Sequence, residues 1–296
     1  MREQHARLND EISLAYEEVG DPADPPLLLI HGLGAQMIAW RDEFLELLVD
    51  RGLRLIRFDN RDAGHSTHLA GEPDLAAIRE GDRSSAVYTV EDMADDAAAL
   101  LDQLGLESAH VAGVSMGGMI AQALAARHPR RVRSLTSIMS TTGERAASQP
   151  TPEAQAVLLG PPARTAEEAE QRAIEAARVN GSPGMVDEEW RRELARRSFE
   201  RSNDPAAFAR QLAAIWASRD RTEAVRTITA PTLVIHGAVD PLIPPSGGRA
   251  TAAAIEGAEL VLVDGMGHDL PQPLWPRIVD AIAAHVRRAE AARPTA

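Results

Sequence analysis

The sequence has 296 residues, of which 44% are hydrophobic and 25% are charged, and its formal net charge is −13. This length is enough to bury a sizeable core in one or two domains. The acidic balance argues against nucleic-acid binding, because affinity for a phosphate backbone depends largely on Lys and Arg side chains. The sequence contains no cysteine, which excludes disulfides, thiolate metal sites and a cysteine nucleophile.

The sequence gives no sign of an export signal or of a membrane span. The N-terminal residues lack the apolar stretch of a secretory signal. Unbroken apolar runs, such as residues 27–30, are far shorter than the roughly 20 residues of a spanning helix. We therefore expect a cytoplasmic protein with no membrane partner.

The first half of the chain alternates short apolar runs with helical patterns. The run ISLAYEEVG predicts an edge strand, PLLLIHG a buried strand, and AWRDEFLELLVDRG a helix that ends at Gly52. The strand LRLIRFDNRD follows, and then a helix with Thr89 as its N-cap. The strands AHVAGVS and VRSLTSIMS flank the helix MIAQALAARHP. This alternation predicts a mainly parallel, doubly wound sheet with helices on both faces.

The alternation stops near Gly143, and several amphipathic helical patterns follow without a credible strand. After Pro231 the strands TLVIHGAVD and AELVLVDG and a last helix, from about Pro273 to Ala292, complete the pattern. We predict a helical cap inserted after the sixth strand of an α/β core. The predicted division is 1–142 for the first part of the core, 143–228 for the cap and 229–296 for the second part of the core.

A serine stands between two glycines where a predicted strand gives way to a helix. In the pattern GVSMG, residues 113–117, the small flanking residues allow a strained turn that exposes the Ser115 hydroxyl at the top of the sheet. The backbone N–H of Met116 begins the helix and is aimed where an oxyanion would form. Glycines on both sides of Leu33 let the backbone approach a substrate, so its N–H is the second predicted oxyanion donor.

A serine hydroxyl needs a base to remove its proton, and the base needs an acid to orient it. Asp240 follows the strand TLVIHGAVD, and His268 follows AELVLVDG, so both lie at strand ends on the expected side of the sheet. We therefore predict Ser115 as the nucleophile, His268 as the general base and Asp240 as the acid. This chemistry needs no cofactor. His285 also follows Asp240, but it lies within the last helix, where we expect an exposed position.

The expected site is mostly apolar and takes a small-molecule substrate. The predicted substrate contacts are His31, Trp190, Phe208 and Trp216. His31 and His236 each end a strand as HG, which favours a supporting role beside the site. The arginine-rich stretch RRELARRSFER is expected to be a solvated face with a Glu193–Arg197 ion pair at i,i+4 spacing, not an anion site.

Two histidines and two aspartates at and after the end of the predicted strand LRLIRFDNRD suggest a metal cluster at first sight. Their spacing matches no fixed ligand geometry, and the proposed catalysis needs no metal. We therefore predict no metal site. The residues concerned are Asp59, Asp62, His65 and His68.

Taken together, these motifs resemble the α/β-hydrolase superfamily over almost the whole chain. The resemblance rests on the HG loop, FDNRDAGHS, the serine between glycines, the helical insertion, the strand-end aspartate and the final GH. It implies an α/β-hydrolase fold with a triad of Ser115, Asp240 and His268. It also implies Leu33 and Met116 as the donors of the oxyanion hole.

One substitution within this pattern points to a narrower group. Asp62 replaces the second residue of the commoner Arg-Gly-x-Gly-x-Ser, and in this the chain resembles the aclacinomycin methylesterase group of polyketide-tailoring enzymes. The leading hypothesis is a serine esterase that acts on a methyl ester of an aromatic polyketide or on another apolar ester. The stretch SMGGMIAQ is equally similar to enol-lactonases and perhydrolases. A lactonase or perhydrolase with the same triad and a ligand-binding protein with little turnover are the alternatives.

Overall fold

A computed structural model of the chain describes residues 2–293, which contain one eight-stranded sheet. The strands are β1 (Gln4–Arg7), β2 (Ser13–Val19), β3 (Pro26–Ile30), β4 (Arg54–Phe58), β5 (Ala109–Val114), β6 (Val132–Ile138), β7 (Thr232–Gly237) and β8 (Glu259–Val263). Their order in the sheet is β1-β2-β4-β3-β5-β6-β7-β8. All neighbours from β4 to β8 pair in parallel, whereas β1 and β2 are antiparallel to their neighbours. The predicted mainly parallel sheet is confirmed.

The prediction of an edge strand for ISLAYEEVG is wrong. This run forms β2, which is covered on its outer side by β1, with Gln4 opposite Tyr16. β1 has the sequence QHAR, and only Ala6 of these residues is buried. A strand with a single buried residue shows no apolar alternation, so its pairing with β2 leaves no mark in the sequence pattern.

Helices cover both faces of the sheet. They are α1 (Asp42–Val49), α2 (Leu75–Glu80), α3 (Val90–Gln103), α4 (Met116–Arg127), α5 (Pro152–Leu158), α6 (Ala166–Asn180), α7 (Glu188–Arg201), α8 (Pro205–Ala217), α9 (Thr222–Val225), α10 (Pro245–Ala254) and α11 (Trp275–Ala291). α1 and α11 pack together on one face, where the rings of Phe44 and Trp275 meet edge-on at 5.6 Å. α3 and α4 pack together on the other face. Thr89 caps α3 as expected, since its hydroxyl accepts the N–H of Asp92.

Helices α5 to α9 occupy the chain between β6 and β7, and no strand lies there. We call residues 143–228 the helical segment. No helix among residues 2–293 combines the length and apolarity needed to cross a membrane. The helical segment contributes its own contacts to the loops at the carboxyl ends of the strands, described below.

The expectation that His285 is exposed is wrong. His285 is 3% exposed and lies on the face of α11 that packs against the sheet, with its Nε2 3.2 Å from the carbonyl oxygen of Pro231. Burial lowers the pKa of this imidazole. The helical spacing contains the signal, because Ile282, His285 and Ala289 succeed one another at i,i+3 and i,i+4 and are all buried.

Candidate active site

The backbone at Ser115 adopts the strained turn that the sequence predicts. Ser115 lies between the end of β5 and the start of α4, and its backbone has a φ of 55° and a ψ of −121°. A Cβ at Gly113 would stand 2.1 Å from the carbonyl oxygen of Gly117, and a Cβ at Gly117 would stand 2.1 Å from that of Ile30. Only glycine fits at either position, so the two glycines allow the strand and the helix to close around the serine.

Three side chains from separate strand ends form one hydrogen-bonded series. Ser115 Oγ lies 3.0 Å from Nε2 of His268, and Nδ1 of the same ring lies 2.7 Å from Oδ2 of Asp240. The other carboxylate oxygen accepts the N–H groups of Leu242 and Ile243 at 2.9 and 3.0 Å. The carboxylate therefore orients the imidazole with a proton on Nδ1 and leaves Nε2 free to accept a proton from the serine.

Two backbone donors beside Ser115 have no partner among the described residues. The loop after β3 packs against the serine so closely that a Cβ at Gly32 would lie 3.1 Å from Ser115 Cβ. Within the described chain, the N–H groups of Leu33 and Met116 donate to no protein acceptor. Both groups are thus available to an oxygen atom bound at the serine.

Ser115 and His268 open into a single large cavity of about 1090 Å³. Its walls come from the strand-end loops and from the helical segment. Three of the four predicted substrate contacts line it, namely His31, Trp190 and Trp216. Further aromatic residues of the wall are Trp40, Phe44, Phe199 and Trp275.

A family model described as alpha/beta hydrolase fold matches residues 25–271, most of the chain. The chain belongs to the α/β-hydrolase family. The family and fold predicted from the motifs are confirmed.

The hydrolase has methylesterases among its relatives. It is 34% identical to rhodomycin D methylesterase DnrP of Streptomyces peucetius and 35% identical to rhodomycin D methylesterase DauP of Streptomyces sp. strain C5, with 95% of this chain and 97% of each relative covered. Its structure is similar to that of a thermophilic esterase from Thermogutta terrifontis, with a TM-score of 0.70 at 26% identity over 98% of this chain and 99% of the other. The predicted resemblance to a methylesterase group is confirmed.

His31 presents a neutral imidazole to the cavity of the hydrolase. The N–H of Gly32 donates to His31 Nδ1 at 2.8 Å, which places the ring proton on Nε2. Burial, aided by the charge of Arg191, lowers the pKa of His31 to about 3. The ring therefore stays uncharged at neutral pH and offers one N–H donor.

Phe208 is not one of the described residues that line the cavity, unlike the other three predicted contacts. Its ring covers the loop after β3 instead, since a Cβ at Gly34 would stand 2.9 Å from the ring. Gln211, three residues further along α8, is fully buried. Its amide oxygen accepts the N–H of Gly34 at 2.8 Å, and its amide nitrogen donates to the carbonyl oxygen of Arg61 at 2.8 Å. Helix α8 thus fixes the backbone next to Leu33.

Asp62, which stands where the commoner motif has glycine, makes the main ionic contact between the core of the hydrolase and α8. Its carboxylate is buried and receives two hydrogen bonds from Arg210, at 2.8 and 2.9 Å. The Tyr88 hydroxyl donates to it at 2.7 Å and the Leu69 N–H at 2.8 Å. The hydrogen bonds that Arg210 donates to two carboxylates, those of Asp62 and Asp204, raise the pKa of its guanidinium.

The metal cluster considered from the sequence is not assembled as a group of four. Asp59 is paired with Arg201 at 2.7 Å, apart from Asp62. Asp62, His68 and Asp204 do bring possible ligand atoms within 4.8 Å of one another. Arg210 contacts both carboxylates of that group, so a guanidinium already supplies the positive charge that a metal would bring.

A turn of the helical segment is joined to the loop that carries His268. The His268 N–H donates to the carbonyl oxygen of Asn180 at 2.6 Å, and the Gly267 N–H donates to the Ser182 hydroxyl at 2.9 Å. The Ser182 N–H in turn donates to Asp269 at 3.0 Å. Sequence reasoning missed this contact, because no local pattern links residues so far apart in the chain.

The arginine-rich stretch forms α7, but its ion pairs differ from the expected one. Within the described part of the chain, Glu193 and Arg197 form no ion pair. Arg196 instead binds Glu170 of the neighbouring α6 at 2.8 Å, because the two helices pack side by side. Arg191 of the same helix lines the cavity, so the stretch is not wholly a solvated face.

Proposed function

We propose that the hydrolase cleaves a bulky, mostly apolar carboxylic ester through an acyl-enzyme on Ser115. The enzyme is a carboxylic ester hydrolase, a class supported by its family and by its methylesterase relatives. The observation that carries the proposal is the hydrogen-bonded series from Ser115 through His268 to Asp240 in the wall of a large cavity.

In the proposed reaction, Ser115 Oγ attacks the acyl carbonyl carbon while His268 Nε2 accepts the serine proton. The N–H groups of Met116 and Leu33 stabilise the resulting oxyanion. The intermediate then expels the alcohol, whose oxygen takes the proton from His268. Water attacks the acyl-enzyme with the same base and releases the carboxylic acid, and Asp240 holds the imidazolium in place at each step.

The proposed substrate is a methyl ester of an aromatic polyketide or another apolar ester of similar size. Support comes from the names of the relatives, from the cavity volume and from its aromatic wall. We assign residues 143–228 as the cap that closes this site, between core segments 1–142 and 229–296. His31, Trp190 and Trp216 are the proposed substrate contacts. A lactone would react through the same residues, but the methylesterase relatives favour an open-chain ester. The cytoplasmic location stays a prediction.

The test is the intact mass of the protein after incubation with a fluorophosphonate, followed by peptide mapping. We expect one adduct on Ser115, absent from Ser115→Ala and strongly reduced in His268→Ala, because only an activated serine reacts. The matched control is Ser84→Ala, which removes an exposed serine hydroxyl that does not line the cavity and keeps the labelled hydroxyl. No adduct under conditions that label a known serine esterase would contradict the mechanism and favour the ligand-binding alternative. Comparing matched methyl esters and lactones then tests the substrate class.

A further inference from the structure

The cavity differs in charge from the rest of the hydrolase. Seven arginines but only two aspartates line it, a formal balance of 7 − 2 = +5. The whole chain, in contrast, has 31 basic and 44 acidic residues and a net charge of −13. A positively lined cleft in a negatively charged protein attracts anions and repels cations.

Two of these arginines are paired and five are not. Arg41 binds Asp187 at 2.8 Å, and Arg191 lies 3.7 Å from Asp269. The other five form no ion pair with any described residue. These five, which we call the arginine end of the cavity, are Arg79, Arg83, Arg145, Arg219 and Arg221.

Packing brings the arginine end together from three parts of the chain. Ile78 of α2 packs against Ala217 at the end of α8, which places Arg79 beside the residues that follow α8. A Cβ at Gly143 would stand 2.7 Å from the carbonyl oxygen of Arg219, so the loop that carries residue 145 lies against the same turn. These contacts bring Arg79, Arg145, Arg219 and Arg221 to neighbouring positions on the cavity wall.

Arg221 is the buried member of the arginine end. It is 5% exposed, its guanidinium donates to the carbonyl oxygens of Thr141 and Arg219 at 3.1 and 3.3 Å, and its Nε has no acceptor among the described residues. Burial lowers its pKa to about 10, against the weaker influence of Glu91 and Asp220, so it is charged at neutral pH. A buried cation without a carboxylate partner is costly unless a ligand supplies the negative charge.

The arginine end is connected to the reactive serine. Thr141, whose carbonyl oxygen accepts from Arg221, follows Ser140 in the chain. The Ser140 hydroxyl donates to the carbonyl oxygen of Ser115 at 2.8 Å. One stretch of backbone thus supports both Ser115 and Arg221, and both line the same cavity.

We propose that the substrate carries an anionic group, such as a carboxylate, which binds at the arginine end while the ester carbonyl lies at Ser115. The position of the ester rests on the proposed function, whereas binding of the anion does not. The aromatic wall would hold the apolar body between these two points. A substrate with a cationic group in the same position would be excluded.

The experiment is titration calorimetry of Ser115→Ala protein, which measures binding without turnover. The probes are monomethyl suberate, the corresponding neutral terminal amide and the matching methyl ω-aminoalkanoate. We expect the carboxylate ester to bind at least about tenfold more tightly than the amide, because charge-assisted hydrogen bonds contribute about that much. The ammonium ester should bind more weakly than the amide, and added salt should reduce the difference.

The variant that decides the site is Arg145→Gln/Arg219→Gln in the same background, since both side chains are exposed and their loss leaves the core intact. It should lose most of the preference for the carboxylate. The matched control is Arg130→Gln/Arg287→Gln, which removes the same charge from exposed, unpaired arginines that do not line the cavity. Equal binding of the carboxylate and the amide, no binding of either, or an equal loss of preference in both double variants would overturn the proposal. Failure of the esterase mechanism would appear separately, as the absence of a fluorophosphonate adduct on Ser115.

Discussion

The sheet side and the helical side of the cavity are held by different kinds of interaction. On the sheet side, Ser115, Asp240 and His268 meet because β5, β7 and β8 end at the same edge of a parallel sheet. On the helical side, Arg210 and Gln211 reach partners 148 and 177 residues away in the chain. The difference indicates that the reactive series follows from the fold, whereas the fit of the helical segment depends on single long-range contacts.

The strongest test of this comparison is Arg210→Met. The substitution leaves the buried Asp62 carboxylate without its guanidinium, and removing one partner of a buried ion pair costs about 3–5 kcal/mol in the free energy of unfolding. Urea unfolding followed by circular dichroism measures the loss. Arg196→Met, which removes an exposed pair with Glu170, is the control. Equal stability of the two variants would mean that the buried contact is dispensable.

A smaller effect is expected from Gln211→Met, which fills the same space but loses both amide hydrogen bonds. If Gln211 positions the loop that carries Leu33, kcat for ester hydrolysis should fall about tenfold with little change in KM, because the oxyanion is bound only in the transition state. The control is Gln122→Met, which loses a buried bond to Ser137. A rise in KM alone, or the same fall in both variants, would rule out a positioning role.

A pH-dependent effect is expected from the sheet itself. Burial lowers the pKa of His110 in β5 to about 4, despite its contact with Glu290 at 3.0 Å. The unfolded chain, with an ordinary pKa near 6.5, then binds a proton between pH 6.5 and 4 that the folded chain does not. The free energy of unfolding should therefore decrease as the pH is lowered through that window, by up to about 1.4 kcal/mol per pH unit from this residue.

Urea unfolding of the wild type and of His110→Gln, measured at pH 7.5 and pH 5, checks this slope. The variant should lose less stability than the wild type between the two pH values. An identical loss in both proteins would show that His110 does not contribute to acid sensitivity. Such a result would assign any acid sensitivity to other groups, such as the buried imidazoles of His31 and His285.

Sequence reasoning was most successful where the fold imposes a local signal. Alternating strands and helices predicted the parallel sheet, and strand ends followed by Asp240 and His268 predicted which side chains the structure brings to Ser115. Their catalytic roles stay predictions. The enzyme class, a carboxylic ester hydrolase, agrees with the methylesterase relatives.

Long-range contacts were beyond the reach of sequence patterns. Asp62 was recognised as an unusual residue, but its partner Arg210 lies on the distant helix α8, and no sequence pattern links the two. Phe208 was expected at the substrate as an aromatic residue of the helical insertion, yet its ring packs over Gly34. Helical periodicity identifies which face is buried and does not identify what covers it.

The turn at Asn180 and Ser182 has a consequence for protein engineering. Because its backbone and hydroxyl hold the loop of His268, the helical segment is not an independent module that can be exchanged between family members. A chimera that took a foreign segment in place of residues 143–228 would inherit a different support for the histidine as well. Designers who wish to alter substrate choice should keep residues 180–182 and vary the helices on either side.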